Sequence, residues 1–438
     1  MVQHTDERQV DVVVVGGGLA GLAAATTAAR EAPGARVVVL DSRSPGGRAR
    51  SDVRDGFVLN QGPHAVYRDG PGAAVLARLG ARFEGVAPSK RVYGTVGDQI
   101  VRLPTTAGSL LRSPLLGAAG KAKLGRLLTG LRRTRTAALA PLSAGEWVRS
   151  LCLPDEAAGL LCTLTRVATY AADLDAISAD AAVRQLQMAA GGGVIYVHDG
   201  WQSLVDGLVE AAGRSGALVR GGERVTGVEP DGGSGWQVST PAGTWTAGAV
   251  VVAAGGPEAA AALVPGAAIA ASGTDATAAC LDLGLRRPPE RRVIFALDRP
   301  IYLSTHAPGA RLAPEGASLV QLMRYGARSS AEDRAELRDF ARAAGIGEDD
   351  VLVERFLHRL VVNHAQPAPG AGLAGRPPVA VAGRAGLFLA GDWVGPVGLL
   401  ADAALSSGAE AGRAAAASVT TSGDGDLARR ARASGEAA

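Results

Sequence analysis

The run Asp11–Val15 (DVVVV), followed at once by Gly16-Gly17-Gly18-Leu19-Ala20-Gly21, constrains this 438-residue chain more than any other feature. Four consecutive valines leave no polar face, so this strand must be covered on both sides, as in a parallel sheet. An Ala-rich helix follows the glycines and ends at Pro33-Gly34. A second buried strand, Ala35–Leu40, closes a βαβ unit. Within the turn, Gly16 permits the tight bend, Gly18 lets a pyrophosphate approach the backbone, and Gly21 with Ala25 lets helix and strand pack closely. Leu19 and Ala20 open the helix, where unpaired N–H groups and a positive dipole favour phosphate. Asp41 ends the second strand twenty residues after Gly21, where an acid can accept hydrogen bonds from a ribose.

Directly after Asp41 comes Ser42-Arg43-Ser44-Pro45-Gly46-Gly47-Arg48, a second Gly-rich and basic loop. A nicotinamide site has no use for it. A dinucleotide whose ring lies over the first strand does: Gly47 for close approach, Arg43 and Arg48 for charge. A third motif lies at the far end. Leu387–Ala390 reads as a last buried strand running into Gly391-Asp392-Trp393. Then Gly398-Leu399-Leu400-Ala401 opens a final helix, expected over Ala401–Ala417.

In order and spacing these motifs resemble the FAD-binding flavoproteins of the amine oxidase and phytoene desaturase superfamily, over about 420 residues. The resemblance implies an FAD-dependent oxidoreductase with non-covalent FAD. It implies that Asp392 holds the ribityl chain, and that Leu399 and Leu400 present backbone N–H groups to the flavin pyrimidine. Asn60-Gln61-Gly62-Pro63-His64 is similar to the family's flavin-side loop. Arg224-Val225 is similar to its adenine-contacting strand, and Asp199–Leu204 to its GGxxxL helix start. The implied architecture is α/β: a Rossmann-like FAD-binding domain (8–70, 199–270, 381–420) with an inserted mixed-sheet and helical substrate domain (71–198, 271–380). A flexible tail is expected over 421–438.

Two departures bear on the substrate. Amine oxidases of the superfamily often hold a late lysine, through water, at the flavin. Here the only lysines are Lys90, Lys121 and Lys123. Several also carry an aromatic after the glycine occupied here by Gly398, whereas this chain has Leu399. Both favour an apolar, isoprenoid-like substrate undergoing desaturase-like or related hydride removal. An amine, amino-acid or protoporphyrinogen-type oxidase is the alternative. A non-catalytic lipid or prenyl-protein binder is the alternative of another class. With a single nucleotide fingerprint, the expected electron acceptor is oxygen or a quinone. No catalytic base is identifiable. Tyr196, Tyr302, Tyr325 and His306 are pocket candidates, Trp393 a candidate aromatic wall, and the other histidines structural.

From Gln99 to Gly145 there are eight basic residues and no acid. Leu124, Leu127, Leu128 and Leu131 fall at helical spacing among them. This segment reads as a basic amphipathic helix able to touch an anionic membrane surface peripherally. A net charge of +3 and 4% aromatics give little support to nucleic-acid binding. Three cysteines without a CxxC pattern indicate neither a disulfide framework nor a zinc site, and fit a reducing cytoplasm as small core residues. The polar N-terminus, 1–9, does not read as a signal peptide. The remaining expected elements are strands at Glu223–Pro230, Trp236–Thr240 and Ala249–Ala253, and a helix at Ala331–Ala344 capped by Ser330.

Overall fold

The computed structural model describes residues 8–97 and 99–435, and for 421–435 the backbone alone. The expectation for the N-terminus lies mostly outside the described residues.

Two seven-stranded sheets organise the chain. In the first, strands Leu218–Arg220, Val37–Leu40, Gln9–Val15 and Gly243–Val252 lie side by side, with Leu387–Leu389 parallel to the last of them. The antiparallel strands Trp236–Thr240 and Gly227–Pro230 complete it. Val12 to Val15 are at most 3% exposed, because they sit in one core with Ala24, Ala28 and Ala411 of the helices and with Trp236 and Trp245 of the neighbouring strands.

The register is what matters for function. Val15 pairs with Leu40 and with Val252, and Val252 pairs with Leu389. Four strands therefore end level. The residues that follow them, Gly16, Asp41, Ala253 and Ala390, emerge at one edge of the sheet, where parallel α/β folds bind ligands.

The first helix, Leu19–Glu31, packs against the last, Leu400–Gly435, which runs well past the Ala417 end expected for it. Their contact is backbone to backbone. A Cβ on Gly408 would lie 2.2 Å from the Ala20 carbonyl oxygen, and one on Gly412 2.2 Å from that of Ala24.

The second sheet runs in the order Val351–Asn363, Ala276–Leu285, Ser318–Tyr325, Ile301–Thr305, Val293–Ala296, Val92–Val96 and Gln99–Arg102. Helix Ser330–Ala343 covers one face through Leu337 and Phe340. Helices Ala118–Gly130, Asp155–Thr169 and Ala179–Ala190 stand across the other side of the cavity described below.

Several local expectations are corrected. The 330–343 helix is capped by Ser329, one residue earlier than expected, because the capping box needs Glu332 three residues on. The strand expected from Glu223 begins at Gly227. Residues 223–226 are irregular, since Glu223 instead donates its N–H to Asp41 and accepts from Trp245 Nε1. Cys152 is exposed, unlike Cys280 in the core. In the basic segment, Leu124 and Leu131 are buried against neighbouring helices, so the expected surface stripe is largely spent on the core; of its four leucines Leu128 alone is exposed. Among the described residues, no helix is long and apolar enough to cross a membrane.

Candidate active site

A cavity of about 1140 Å³ runs from the level strand ends of the first sheet to the inner face of the second. Of the residues singled out by sequence, Gly16, Gly18, Leu19, Ala20, Asp41, Ser42, Arg43, Gly47, Arg48, Pro63, His64, Val225, Gly391, Asp392, Leu399 and Leu400 all line it. Gly21 and Gly62 lie just behind. A Cβ on Gly21 would sit 1.8 Å from the Gly16 carbonyl oxygen, and one on Gly62 3.1 Å from Cys280 Sγ.

The glycine turn is built by short-range bonds. Gly17 N–H donates to Asp41 Oδ2 at 2.6 Å, and Arg43 N–H to Asp41 Oδ1 at 2.8 Å. Gly46 N–H reaches the Gly17 carbonyl at 2.7 Å, folding the second loop onto the first. Gly18 is the N-cap of the first helix, and the space where its Cβ would be is open.

The two ends of the chain meet in an ion pair. Arg48 contacts Asp392 twice, Nη1 to Oδ2 at 2.9 Å and Nη2 to Oδ1 at 2.8 Å, and His364 N–H donates to Oδ2 at 2.9 Å. Asp392 is 2% exposed. Burial opposes its charge, but Arg48 and His364 prevail and hold the carboxyl below its ordinary value. Leu400 has φ +56 and gives its N–H to Asn363 Oδ1 at 3.0 Å. The open donors of this helix start therefore include those of Ala401 and Asp402, while the Leu400 donor, which the resemblance assigned to the ligand, is taken.

The rest of the cavity is a wall of aromatic and aliphatic side chains. Tyr170, Tyr196, Tyr302 and His306 line it. Tyr325 stands behind, stacked on Tyr302 at 5.5 Å, and does not line it. Trp393 is no wall either: it is buried in the first sheet's core with Nε1 donating to the Gly255 carbonyl. Beyond the tyrosines, Leu127, Leu131, Leu161, Leu164 and Val167 supply a purely aliphatic stretch. None of the lysines lines the cavity.

Burial shifts four of its titratable groups toward their neutral forms. His64 Nδ1 donates to the Gly62 carbonyl at 2.8 Å, because a carbonyl can only accept. That leaves Nε2 as an acceptor, and burial lowers the ring to about 4. His306 stacks on Tyr196 at 3.8 Å, with Nε2 3.0 Å from Ser304 Oγ, and burial lowers it to about 3. Burial pushes Tyr170 up to about 12. Asp402 accepts the Gly72 N–H at 2.9 Å while its other oxygen has no partner, and burial raises it to about 6.

Residues 19–416 match the family of flavin containing amine oxidoreductases. The chain belongs to that family. It is an FAD-dependent oxidoreductase, and the cavity suits the cofactor: an open glycine turn at a helix start, a basic loop beside it, and a second helix start at the opposite end.

Solved structures share the fold. An oxidoreductase from Methanosarcina mazei superposes with TM-score 0.74 at 19% identity, covering 91% of this chain and 99% of that one. Cyclohexylamine oxidase from Brevibacterium oxydans IH-35A gives TM-score 0.67 at 17% identity, covering 95% and 99%. Among curated proteins, a coproporphyrinogen III oxidase from Propionibacterium freudenreichii is 41% identical over 110 residues, 24% of this chain; the chain matches 20% of that protein's length.

Sequence reasoning missed Tyr170, Ser304, Asp402 and the aliphatic stretch. Tyr170 adopts φ +59 at a helix end, which carries no residue signature. Asp402 looked like an ordinary acid in a first helical turn. It reads as exceptional only once Gly70 and Gly72 are found packed on it.

Proposed function

We propose that this enzyme removes hydride from an apolar, isoprenoid-like small molecule. The observation that carries the reading is the aliphatic stretch Leu127, Leu131, Leu161, Leu164 and Val167, continuous with the tyrosine wall and without a charged group. Burying a hydrocarbon there contributes roughly 0.8 kcal/mol per methylene, so no ionic contact is needed to hold it.

FAD, when bound, supplies the hydride acceptor. Gly16, Gly18, Leu19 and Ala20 would cradle its pyrophosphate, with Gly21 permitting the close helix. Asp41 would take ribose hydroxyls on the lone pairs left over from its two backbone bonds. Ser42, Arg43, Gly47 and Arg48 would flank the phosphates, and Val225 the adenine. Gly391 and Asp392 would hold the ribityl chain, and Leu399 with the Leu400–Asp402 helix start the pyrimidine. Gly62, Pro63 and His64 would pass beside the ring, where His64 Nε2 can accept a proton from substrate.

A second reading, an amine or porphyrinogen-type oxidase, is favoured by the unpartnered oxygen of Asp402, which lines the cavity and could meet a cationic group. Anaerobic bleaching of the bound flavin separates the two. One panel holds polyprenyl and triterpenoid compounds, the other primary amines, amino acids and porphyrinogens. Bleaching by the first panel is expected; bleaching by the second alone overturns the apolar reading. Admitting oxygen, or a quinone, to the bleached enzyme identifies the acceptor. For peripheral membrane contact, Leu111 and Leu128 remain exposed, 70% and 41%, near Arg112 and Arg126. Co-sedimentation with anionic vesicles, lost in L111S/L128S, checks it.

A further inference from the structure

Arg376 lies outside every motif discussed so far. It follows the short turn Gly372–Gly375 and begins a segment that runs beside the last strand of the first sheet, where Leu389 N–H bonds to the Val379 carbonyl. Its side chain is 6% exposed. Nη1 donates to the Asp392 carbonyl at 2.9 Å and Nη2 to the Gly398 carbonyl at 2.8 Å. Nε is buried without a partner. One guanidinium thus ties the end of the Gly391-Asp392 strand to the loop that opens the final helix.

The charge on this group is hard to explain as a bridge alone. Two backbone carbonyls could be joined by a neutral amide. A guanidinium in the interior is costly unless a carboxylate faces it, and among the described residues none lies in ion-pair contact with Arg376. The nearest candidate, Asp392, has its carboxylate committed to Arg48. Asp180 acts on Arg376 only at longer range, its own oxygens taken by Ser178 Oγ and by the Ala181 and Leu373 N–H groups. Burial lowers Arg376 to about 10, which leaves it cationic at neutral pH. The Arg48–Asp392 pair is neutral as a unit, so Arg376 adds a buried positive charge of its own beside the last helix start, where, among the described residues, Asp402 is the carboxylate that lines the cavity without an ion-pair partner. The positive end of the final helix dipole adds to the charge of Arg376.

We propose that Arg376 is an electrostatic positioning residue: its buried charge, in ion-pair contact with no carboxylate, favours the negative charge that FAD acquires on taking up hydride, and so raises the reduction potential of the bound flavin. The proposal rests on the reading of 391–402 as the segment holding the flavin. In the step concerned, the substrate C–H bond would break with its electron pair, the pair and its proton would pass to oxidised FAD, which gains one negative charge, and the carbon left electron-deficient would be relieved as its neighbour loses a proton to water and the double bond forms. Arg376 exchanges no proton and forms no bond in that step. It acts through the field it sets up inside a low-dielectric site, where a fixed charge weighs far more than in water.

The test compares the flavin reduction potential of the holoenzyme with those of R376K, R376Q and R376M, each equilibrated with a reference dye during slow anaerobic reduction. R376Q and R376M are expected to shift the two-electron equilibrium toward oxidised flavin at least tenfold, about 30 mV. R376K, which keeps the charge and loses the fork, is expected to stay within about threefold of wild type. A fall as large in R376K as in R376Q overturns the proposal in favour of a purely structural bridge, and so does an unchanged potential in an R376Q or R376M protein that retains FAD. Where those variants do not hold FAD, D180N decides. Removing the distant carboxylate is expected to raise the potential, a direction that a structural defect has no reason to produce; a potential that stays or falls overturns the proposal. A wild-type protein that binds no FAD would instead sink the reading of the cofactor segments, leaving a distinct result.

Discussion

The two ends of the cavity are built in opposite ways. At the first sheet, four strands end level, and backbone groups within a few residues of those ends do the positioning: Gly17 N–H to Asp41, Gly46 N–H to the Gly17 carbonyl. At the substrate end, Leu164 and Tyr170 come from one helix and its C-cap, Tyr196 and Tyr302 from strands of two different sheets, and side-chain packing does the positioning. A site that needs backbone to approach a ligand demands glycine and strand ends, a narrow residue choice. A site that needs only apolar volume accepts many residues at many positions. The first end should therefore be intolerant of small changes, and the second should trade them for specificity.

The largest test of that contrast is pH. His306, in the substrate wall, ionises at about 3 when folded against an ordinary 6.5. As pH falls below 6.5 the unfolded chain gains a proton that the folded chain does not, so stability is lost toward pH 3, by roughly 5 kcal/mol. Asp402, at the cofactor end, is raised from 3.8 to about 6. Here the unfolded chain ionises first, so stability falls as pH rises between those values, by roughly 3 kcal/mol. Urea unfolding across this window should show acid sensitivity reduced in His306→Gln, and the opposing slope removed in Asp402→Asn. Equal slopes in both variants would erase the contrast.

Next in size is Asp392→Ala. It leaves Arg48 and the His364 N–H without their acceptor, and should cost about 3 kcal/mol of stability. FAD affinity should drop on the order of 100-fold, against about tenfold for Asp41→Asn, whose ribose lies over an already anchored turn. Dissociation constants for FAD check the ranking; equal losses would contradict it.

Glycine replacements sharpen the comparison further. Gly412→Ala places a methyl against the Ala24 carbonyl and should cost about 2 kcal/mol. Gly125→Ala, in the helix Ala118–Gly130 of the substrate half, meets only Leu110 Cδ2 at 3.8 Å and should stabilise by about 0.8 kcal/mol. Thermal midpoints moving in opposite directions are the expected result.

The smallest stability effect is expected from Leu164→Phe, which adds volume to the partly open aliphatic stretch and should change stability by less than about 1 kcal/mol. FAD content and visible spectrum should match wild type, while bleaching by the longest hydrocarbon substrates slows most. A variant that loses FAD would place Leu164 in the cofactor half.

Much of the cofactor half was legible in the chain. GxGxxG between a valine run and a helix, an acid at Asp41, GGR, and GDW before a last helix are local patterns, and local patterns survive in one dimension. Leu400 shows the limit. Its N–H was assigned to the ligand, yet Asn363, distant in sequence, takes it. The leucines at 124, 127 and 131 likewise carried the right period, but a period does not say whether the apolar stripe meets a membrane or a neighbouring helix.

Short motifs were enough to specify parallel strands ending at a dinucleotide site, its turn glycines and the acid at Asp41, because each follows from what a backbone can do within a few residues, and the resemblance to a flavoprotein family added FAD and the role of Asp392. They could not specify that Arg48 and Asp392, 344 positions apart, neutralise each other, that Arg376 is buried on two carbonyls with no carboxylate in ion-pair contact, or that Asp402 turns inward. Those outcomes depend on which side chains folding brings together and removes from water. The cost of a buried charge is set by that surrounding and is carried by no single residue's identity.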